Sequence, residues 1–215
     1  MGVRSLRNGG RMNKIAAVMS AVLALVSTGT AVAQAGSQCA SPDQIAAVRS
    51  ALEGKEPSPL GATAAALKIP EAIVASALPP AQSYGIDASQ FQAVWKSIET
   101  WTDAVTFITK GPNLFEVLGP VGQGEPSKRS KFFNVKREGP GLAGHFRPDL
   151  FSSIYVLEIP GKVSTLRGVV FFEPSGEAVF TVYVPGEGGP SPEAVVKQFS
   201  STAALIRSFP SVCPR

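Results

Sequence analysis

The chain has a single histidine, His145, and its surroundings decide which chemistry the sequence can support. Gly144 precedes it directly, and Arg147 and Asp149 follow it in the same short stretch. Imidazole is the usual side chain for binding iron or zinc and for transferring protons near neutral pH. Any such chemistry here must use His145 or proceed without histidine. From spacing alone, a surface turn leading into a strand near Phe151 accounts for these residues equally well.

The sequence offers little for catalysis. A Ser-His-Asp triad would need His145 beside a strained nucleophile, and no Gly-x-Ser-x-Gly motif occurs. The sequence also has no glycine-rich phosphate loop and no pair of histidines for a non-haem metal. Scattered carboxylates could form an acid/base pair, but their spacing does not show one. The sequence therefore favours a binding protein over an enzyme.

A group of basic residues lies around a predicted strand at 132–135. It consists of Lys128, Arg129, Lys131, Lys136 and Arg137. Such a group can bind the carboxylates of an anionic ligand. A solvated hairpin end has the same composition, and composition alone favours that interpretation.

Residues 1–35 have the pattern of a secretory signal peptide. Four basic residues precede an apolar run of 12 residues, Ile15 to Val26, and small residues follow as far as Ala35. A positive region, a short apolar run and an Ala-x-Ala site predict export, here to the periplasm. Cleavage follows Ala33 or Ala35, and translation starts at Met1 or Met12. The run is short for a bilayer span, so a membrane anchor is the weaker interpretation.

Removing this leader changes the charge balance. The leader holds four of the chain's 20 Lys and Arg and none of its 16 Asp and Glu, so the mature chain is formally neutral. Neutral charge and export argue against binding of nucleic acid, although two short helices near residue 70 have helix-turn-helix spacing. We expect no nucleic-acid partner and no membrane span after cleavage.

The mature chain keeps two cysteines, Cys39 and Cys213, near its two ends. In an oxidising compartment a disulfide between them is the natural inference. Two free thiols remain the alternative. A zinc site is not indicated, because no further Cys or His lies at ligand spacing.

Hydrophobic periodicity predicts a single α+β domain over 36–215, with helices over 36–102, an antiparallel sheet over 103–190 and a C-terminal helix and tail over 191–215. Residues 41–101 show helical spacing, with a predicted cap at Asp87 for the fourth helix. Two-residue alternation then predicts hairpins around 111–113 and 174–176, with further strands at 132–135 and 153–159. Ser191-Pro192-Glu193 begins a closing amphipathic helix, and 186–192 is the one linker-like stretch.

Several segments, taken in order, resemble the HutX/ChuX family of haem-utilisation carrier proteins, from about Leu60 to Phe209. The matching segments are Leu67-Lys68-Ile69-Pro70-Glu71, Ala77-Leu78-Pro79, Phe91-Gln92-Ala93-Val94-Trp95 with Trp101, Val105-Thr106-Phe107-Ile108, Phe115-Glu116-Val117, Phe132-Phe133-Asn134-Val135, Gly144-His145, Phe171-Phe172 and Gly176-Glu177-Ala178-Val179-Phe180. The order and spacing of these segments carry the resemblance more than any one of them does.

The resemblance implies a helical N-terminal part, an antiparallel sheet of the HemS/ChuX type and a homodimer that binds haem in a cleft. The family's Gly-His falls on Gly144-His145, which makes His145 the expected iron ligand; neutral imidazole is a standard axial ligand of haem. Arg147, Lys128, Arg129 and Lys131 are then candidates to meet the haem propionates. The fallback iron ligands are Tyr155 and Tyr183, placed on neighbouring predicted strands.

The chain departs from the family at three places. Thr109-Lys110 stands where some members have a second histidine, Pro160-Gly161-Lys162-Val163 replaces a basic-Phe-Met-Gly segment, and Thr181 and Pro185-Gly186-Glu187 replace a lysine and a Gly-Arg-Asp. We expect an exported haem-binding or haem-carrier protein without enzymatic activity. The alternatives are the same fold without haem, as a binding or structural module, and an iron-releasing enzyme that acts on haem.

Overall fold

The computed structural model describes residues 38–111, 113–136, 139–186 and 191–214 of the chain. The predicted signal peptide, Arg137 of the basic group and part of the linker-like stretch lie outside these residues. All described residues belong to one compact unit, Ala35–Arg215. Within the described ranges no single helix is long and apolar enough to cross a bilayer; α2 and α3, defined below, pass that test only as a pair bent by 105°.

Helices and antiparallel strands make up the described part of the chain, which confirms the α+β class. The helices are α1 (Pro42–Leu52), α2 (Leu60–Leu67), α3 (Glu71–Ala77), α4 (Phe91–Ile98) and α5 (Glu193–Arg207). The strands are β1 (Ser83–Asp87), β2 (Val105–Lys110), β3 (Asn113–Leu118), β4 (Gly124–Pro126), β5 (Phe133–Val135), β6 (Gly144–Phe146), β7 (Ser153–Pro160), β8 (Thr165–Phe172) and β9 (Ala178–Tyr183). Short 3-10 helices lie at Ala88–Gln90 and Pro148–Leu150.

The strands form two sheets rather than the one predicted. A large sheet has the order β1-β7-β8-β9-β2-β3, and a small sheet has the order β4-β5-β6. Both predicted hairpins are confirmed, β2 with β3 and β8 with β9. The first of them turns through Gly111, whose φ of +56° favours glycine.

One strand lies inside the part predicted to be helical. Residues Ser83–Asp87 form β1, which pairs with β7 at the edge of the large sheet. Gly85 weakened the strand signal in the sequence, yet the structure requires it, because an added Cβ would lie 2.1 Å from Cζ of Tyr155. The predicted cap is real: the Asp87 carboxylate accepts the Ser89 backbone N–H at 2.8 Å, although a 3-10 turn precedes α4.

The large sheet is covered on both faces except at β3, whose residues are mostly exposed. Strand alternation sends Ile154, Val156 and Phe171 to one face, where α4, α5 and the small sheet pack on them. The opposite face presents Tyr155 and Leu157 to α1, α2 and α3. Complete burial of a large apolar side chain contributes about 1.5–3 kcal/mol, so these two clusters hold the layers together.

Candidate functional site

His145 lies in β6, the edge strand of the small sheet, and not in the surface turn that its spacing allowed. The sheet pairs Asn134 of β5 with His145, and pairs the preceding residue, Phe133, with Phe146. Because successive side chains alternate, Phe133 and Phe146 pack into the core while Asn134 and His145 share the outer face. The fold thus exposes His145 on a surface whose backbone is fixed by strand pairing.

A hydrogen bond orients the imidazole. Nδ1 of His145 lies 2.8 Å from Oδ1 of Asn134. An amide oxygen only accepts hydrogen bonds, so in the neutral imidazole this contact places the proton on Nδ1 and the lone pair on Nε2. A second hydrogen-bonding partner of this kind is what orients histidines that bind metals in proteins. The arrangement therefore suits Nε2 of His145 to bind iron.

Phe132 and Arg147 stand beside this imidazole. The Phe132 ring meets the His145 ring edge-on at 6.2 Å, and the Arg147 guanidinium lies 5.8 Å from the centre of the Phe132 ring. Gly144, the first residue of β6 with φ +156°, faces the same side as Phe146, because an added Cβ would meet the Phe146 ring at 4.0 Å. We call Phe132, Asn134, His145 and Arg147 the His145 surface.

Arg147 is already paired with a carboxylate. It donates two hydrogen bonds to Asp149, at 2.7 and 2.8 Å. These bonds from Arg147 lower the pKa of the Asp149 carboxyl and raise the pKa of the guanidinium. Both groups are ionised at neutral pH, so Asp149 offsets the charge that Arg147 would offer to an anionic ligand.

The other predicted cations lie on the loop between β4 and β5. The backbone N–H of Ser127 donates to Phe132 O at 2.7 Å, which closes a short loop carrying Lys128, Arg129 and Lys131. All three side chains are exposed, and Lys131 approaches Asp149 at 3.8 Å. Lys128 and Arg129 make no ion pair with any residue that the structure describes. These two are the cations that remain available to a ligand beside Phe132.

Lys136, the other described member of the basic group, takes no part in this surface. Its Nζ lies 3.4 Å from the Glu125 carboxylate on β4. The basic group of the sequence is therefore divided between a paired residue and the exposed loop.

Tyr155 and Tyr183 lie away from His145, and the structure does not support them as fallback ligands. They are on β7 and β9, which β8 separates, so the prediction of neighbouring strands was wrong. Both point to the face of the large sheet that α1, α2 and α3 cover, and they are only 2 % and 5 % exposed. Burial raises the pKa of Tyr183 above the ordinary value, which disfavours the tyrosinate that would bind iron.

A cavity on the face that α1, α2 and α3 cover was not predicted. It has a volume of about 690 Å³ and lies between α2 and α3 on one side and β2 and β9 on the other. Thr109 and Thr181, two of the positions at which the sequence departs from the family, line it. Its residues come from distant parts of the chain, so the sequence carries no local signal of it. We call it the helix–sheet cavity.

The two cysteines are joined, as one of the two sequence interpretations predicted. Sγ of Cys39 is bonded to Sγ of Cys213, and their Cα atoms are 5.5 Å apart. Within the described ranges no group of three or more His, Cys, Asp or Glu side chains could hold a metal ion. His145 is therefore a candidate for binding iron that a porphyrin already holds, as a single axial ligand.

A family model described as "Haem utilisation ChuX/HutX" matches residues 85–201, more than half of the chain. The chain belongs to the ChuX/HutX haem-utilisation family. The resemblance found in the sequence is thus confirmed, and the match includes the whole His145 surface. Haem is the ligand that the family's description names.

Individual relatives agree with this assignment. The intracellular heme transport protein HutX of Vibrio cholerae serotype O1 is 27 % identical over 125 residues, which are 57 % of this chain and 63 % of HutX. This chain therefore matches less than two thirds of that curated relative.

Solved structures show the same fold. A crystal structure of ChuX, called a heme-binding protein in a second structure, gives a TM-score of 0.65 at 18 % identity and covers 75 % of this chain and 99 % of ChuX. The heme-degrading enzyme ChuS of Escherichia coli O157:H7 gives a TM-score of 0.59 at 14 % identity, covering 79 % of this chain and 47 % of ChuS. One fold thus serves both a heme-binding protein and a heme-degrading enzyme.

Proposed function

We propose that this protein is an exported haem carrier that binds haem iron through Nε2 of His145. One observation carries the proposal above the others: the chain's only imidazole is exposed, and Asn134 holds it as the tautomer that can bind iron. The relative HutX is named a heme transport protein and ChuX a heme-binding protein, which supports the same ligand for this chain. A carrier needs no catalytic group beyond the ligand set.

The exposed loop next to His145 suits the anionic edge of haem. Phe132 offers an aromatic side chain beside the imidazole, and Lys128 and Arg129 stand close to it in sequence without an opposing carboxylate among the described residues. Cations on a flexible surface loop interact with carboxylates through screened charge. Each contact is therefore weak, and the iron–imidazole bond has to supply much of the affinity.

Export to the periplasm rests on two features of the chain. The first is the leader pattern of residues 1–35, and the second is the Cys39–Cys213 disulfide, a bond that persists in oxidising compartments. Intact mass of the protein purified from the periplasm tests this part. We expect a chain starting at Gln34 or Gly36 that gains two mass units on reduction, and a full-length chain with two alkylatable thiols would contradict it.

A second copy of the chain is the proposed partner. β3 is the free edge of the large sheet and exposes Leu114, Phe115 and Leu118 by 51 %, 55 % and 66 %. Apolar edge strands of this kind need a cover, and a two-fold axis beside β3 would let two copies cover each other. Sedimentation should show a dimer that Phe115→Lys with Leu118→Lys converts to a monomer; a wild-type monomer would overturn this part.

Titration of the mature protein with hemin tests the central proposal. We expect a Soret band distinct from that of free hemin, with one haem per chain. A spectrum that remains that of free hemin would favour the haem-free module. A chemically altered porphyrin after addition of a reductant would favour the iron-releasing enzyme instead.

A further inference from the structure

The helix–sheet cavity contains a carboxyl group in an apolar setting. Much of its lining is apolar, from Leu60, Ala64, Ile69, Phe107 and Leu114. Glu71, the first residue of α3, also lines the cavity and is only 9 % exposed. A buried carboxyl group among apolar side chains is costly unless a cation or several donors meet it.

Gly61 on α2 makes room for this carboxyl group. A Cβ at Gly61 would lie 2.8 Å from Oε1 of Glu71, so any larger residue would displace the carboxyl from its place. Ala178, at the start of β9, lines the cavity beside Glu71. The carboxyl group is thus held between α2 and β9 and not left to rotate.

No cation of the described chain neutralises Glu71. The structure shows no ion pair to it within the described ranges, and the charged residue next to it is Glu177, a second carboxylate. Burial, and then Glu177, raise the pKa of the Glu71 carboxyl. Lys68 lines the cavity from the end of α2, where its side chain is exposed.

Two hydroxyl groups complete the polar part of the lining. Tyr183 and Thr181 both line this space from β9. Together with Glu71 they could accept the three N–H groups of a primary ammonium, which has three donors and no acceptor.

Haem does not suit this cavity. The chain's only imidazole is elsewhere, and the Glu71 and Glu177 carboxylates would repel the propionates. The volume of about 690 Å³ falls within the range of roughly 300–1,000 Å³ that small-molecule sites have. The occupant that fits has an apolar body and a positive charge.

We propose that the helix–sheet cavity binds a small primary amine with an apolar body, whose ammonium group lies against Glu71. The apolar lining takes the body of the ligand, and the buried carboxylate supplies the charge that selects an amine over an alcohol or an acid. This site is independent of the His145 surface, which lies on the other side of the large sheet.

Calorimetric titration of the haem-free protein at pH 8 tests the proposal with three probes of equal length: n-hexylamine, 1-hexanol and hexanoate. We expect hexylamine to bind at least about tenfold more tightly than hexanol, as a charge-assisted hydrogen bond allows. Hexanoate should bind more weakly than both. Equal affinities for the amine and the alcohol, or tighter binding of hexanoate, would overturn the proposal.

Three variants locate the site. Glu71→Gln should remove the preference for the amine, whereas Glu53→Gln, which changes an exposed carboxylate outside this cavity, should keep it. Ala65→Trp fills the cavity from an exposed position and should abolish binding of amine and alcohol alike. Unchanged amine binding in either Glu71→Gln or Ala65→Trp would place the ligand elsewhere.

His145→Ala separates this site from the haem site. The variant should bind hexylamine as the wild type does, whether or not the wild type binds hemin. A loss of amine binding in His145→Ala would show that the amine does not bind at Glu71.

Discussion

The large sheet and the small sheet differ in how much of their surface the rest of the chain covers. The large sheet has a hydrophobic cluster on each face, and Tyr155 and Tyr183 are buried on it. The small sheet buries Phe133, Val135 and Phe146 on one face and exposes Asn134 and His145 on the other. The first sheet supports the fold through both faces, and the second supports it through one face only.

This difference separates stability from ligand binding. A residue on the outer face of the small sheet has few packing contacts to lose, so it can be chosen for chemistry. The strand beneath it is still fixed by Phe133 and Phe146, which pack against Trp95 at 5.9 and 5.4 Å between ring centroids. Changes to the large sheet's layers should therefore alter stability, and changes to the outer face should alter haem binding.

Removal of the disulfide should give the largest loss of stability. The bond closes a loop with a sequence separation of 174 residues and ties α1 to the C-terminal end. Cys39→Ser with Cys213→Ser should lower the free energy of unfolding by about 5 kcal/mol, the chain-entropy value for a loop of this length. Urea unfolding measures it, and hemin affinity at 15 °C should stay as in the wild type.

Reduced wild-type protein is the control for this double variant, and the two should unfold at the same urea concentration. If the folded double variant also lost hemin affinity, stability and haem binding would not be separated between the large sheet and the small sheet.

His145→Ala should weaken hemin binding and leave stability nearly unchanged, the reverse of the effect of removing the disulfide. It removes the proposed iron ligand from the outer face, so hemin affinity should fall at least about tenfold, or ~1.4 kcal/mol, and the Soret band should shift. Stability should change by no more than about 0.5 kcal/mol, as for other surface substitutions. Spectral titration and thermal unfolding measure the two effects.

Added imidazole should partly restore the spectrum of His145→Ala, because it can occupy the same coordination position. Tyr155→Phe and Tyr183→Phe are matched controls that should bind hemin normally. An unchanged Soret position in His145→Ala would remove this residue from the site.

The sequence predicted the elements that have strong local patterns. The apolar stripe of Val195, Phe199, Ala203 and Ile206 predicted α5, and the turn at Gly111 predicted the β2–β3 hairpin. Strand prediction failed where a glycine makes room for a neighbouring side chain. Gly85 in β1 and Gly124 in β4 make room for Tyr155 and Phe133, and neither of these strands was predicted. Short strands with such glycines have no alternation to detect.

The candidate site was only partly predictable for a related reason. His145 stood out by its rarity and by the family's Gly-His position. Its partner Asn134 is on the neighbouring strand, and only the register of β5 with β6 brings them together. The tyrosines were misplaced because alternation assigns side chains to a face without showing what covers that face. Glu71 opened a predicted helix, and no local pattern places it against β9.

The cationic loop should have an intermediate effect confined to binding. Changing Lys128, Arg129 and Lys131 together to Gln should weaken hemin binding by about 1–3 kcal/mol in all, because each exposed charge pair contributes up to about 1 kcal/mol. Wild-type affinity should also fall as salt rises, because exposed charges are screened. Hemin titrations at two salt concentrations measure both.

The matched control removes three exposed lysines elsewhere, Lys55, Lys162 and Lys197, and changes net charge equally. If both triple variants lose the same affinity, the effect comes from net charge alone and the loop has no specific role.

Glu71→Gln should give the smallest effect, and its sign depends on pH. Burial raises the pKa of the Glu71 carboxyl above that of the unfolded chain, so the folded protein favours the protonated form. That stabilisation is present below the unfolded value of 4.5 and is lost as the pH rises through the folded pKa. The neutral amide avoids this loss, so the variant should be more stable than the wild type at pH 7.5 and nearly equal to it at pH 4.

Urea midpoints at the two pH values measure the difference, and Glu53→Gln, at an exposed position, should show no such dependence. A variant less stable than the wild type at pH 7.5 would mean that the Glu71 charge stabilises the large sheet's helical layer, which contradicts the burial cost assigned to this carboxyl group.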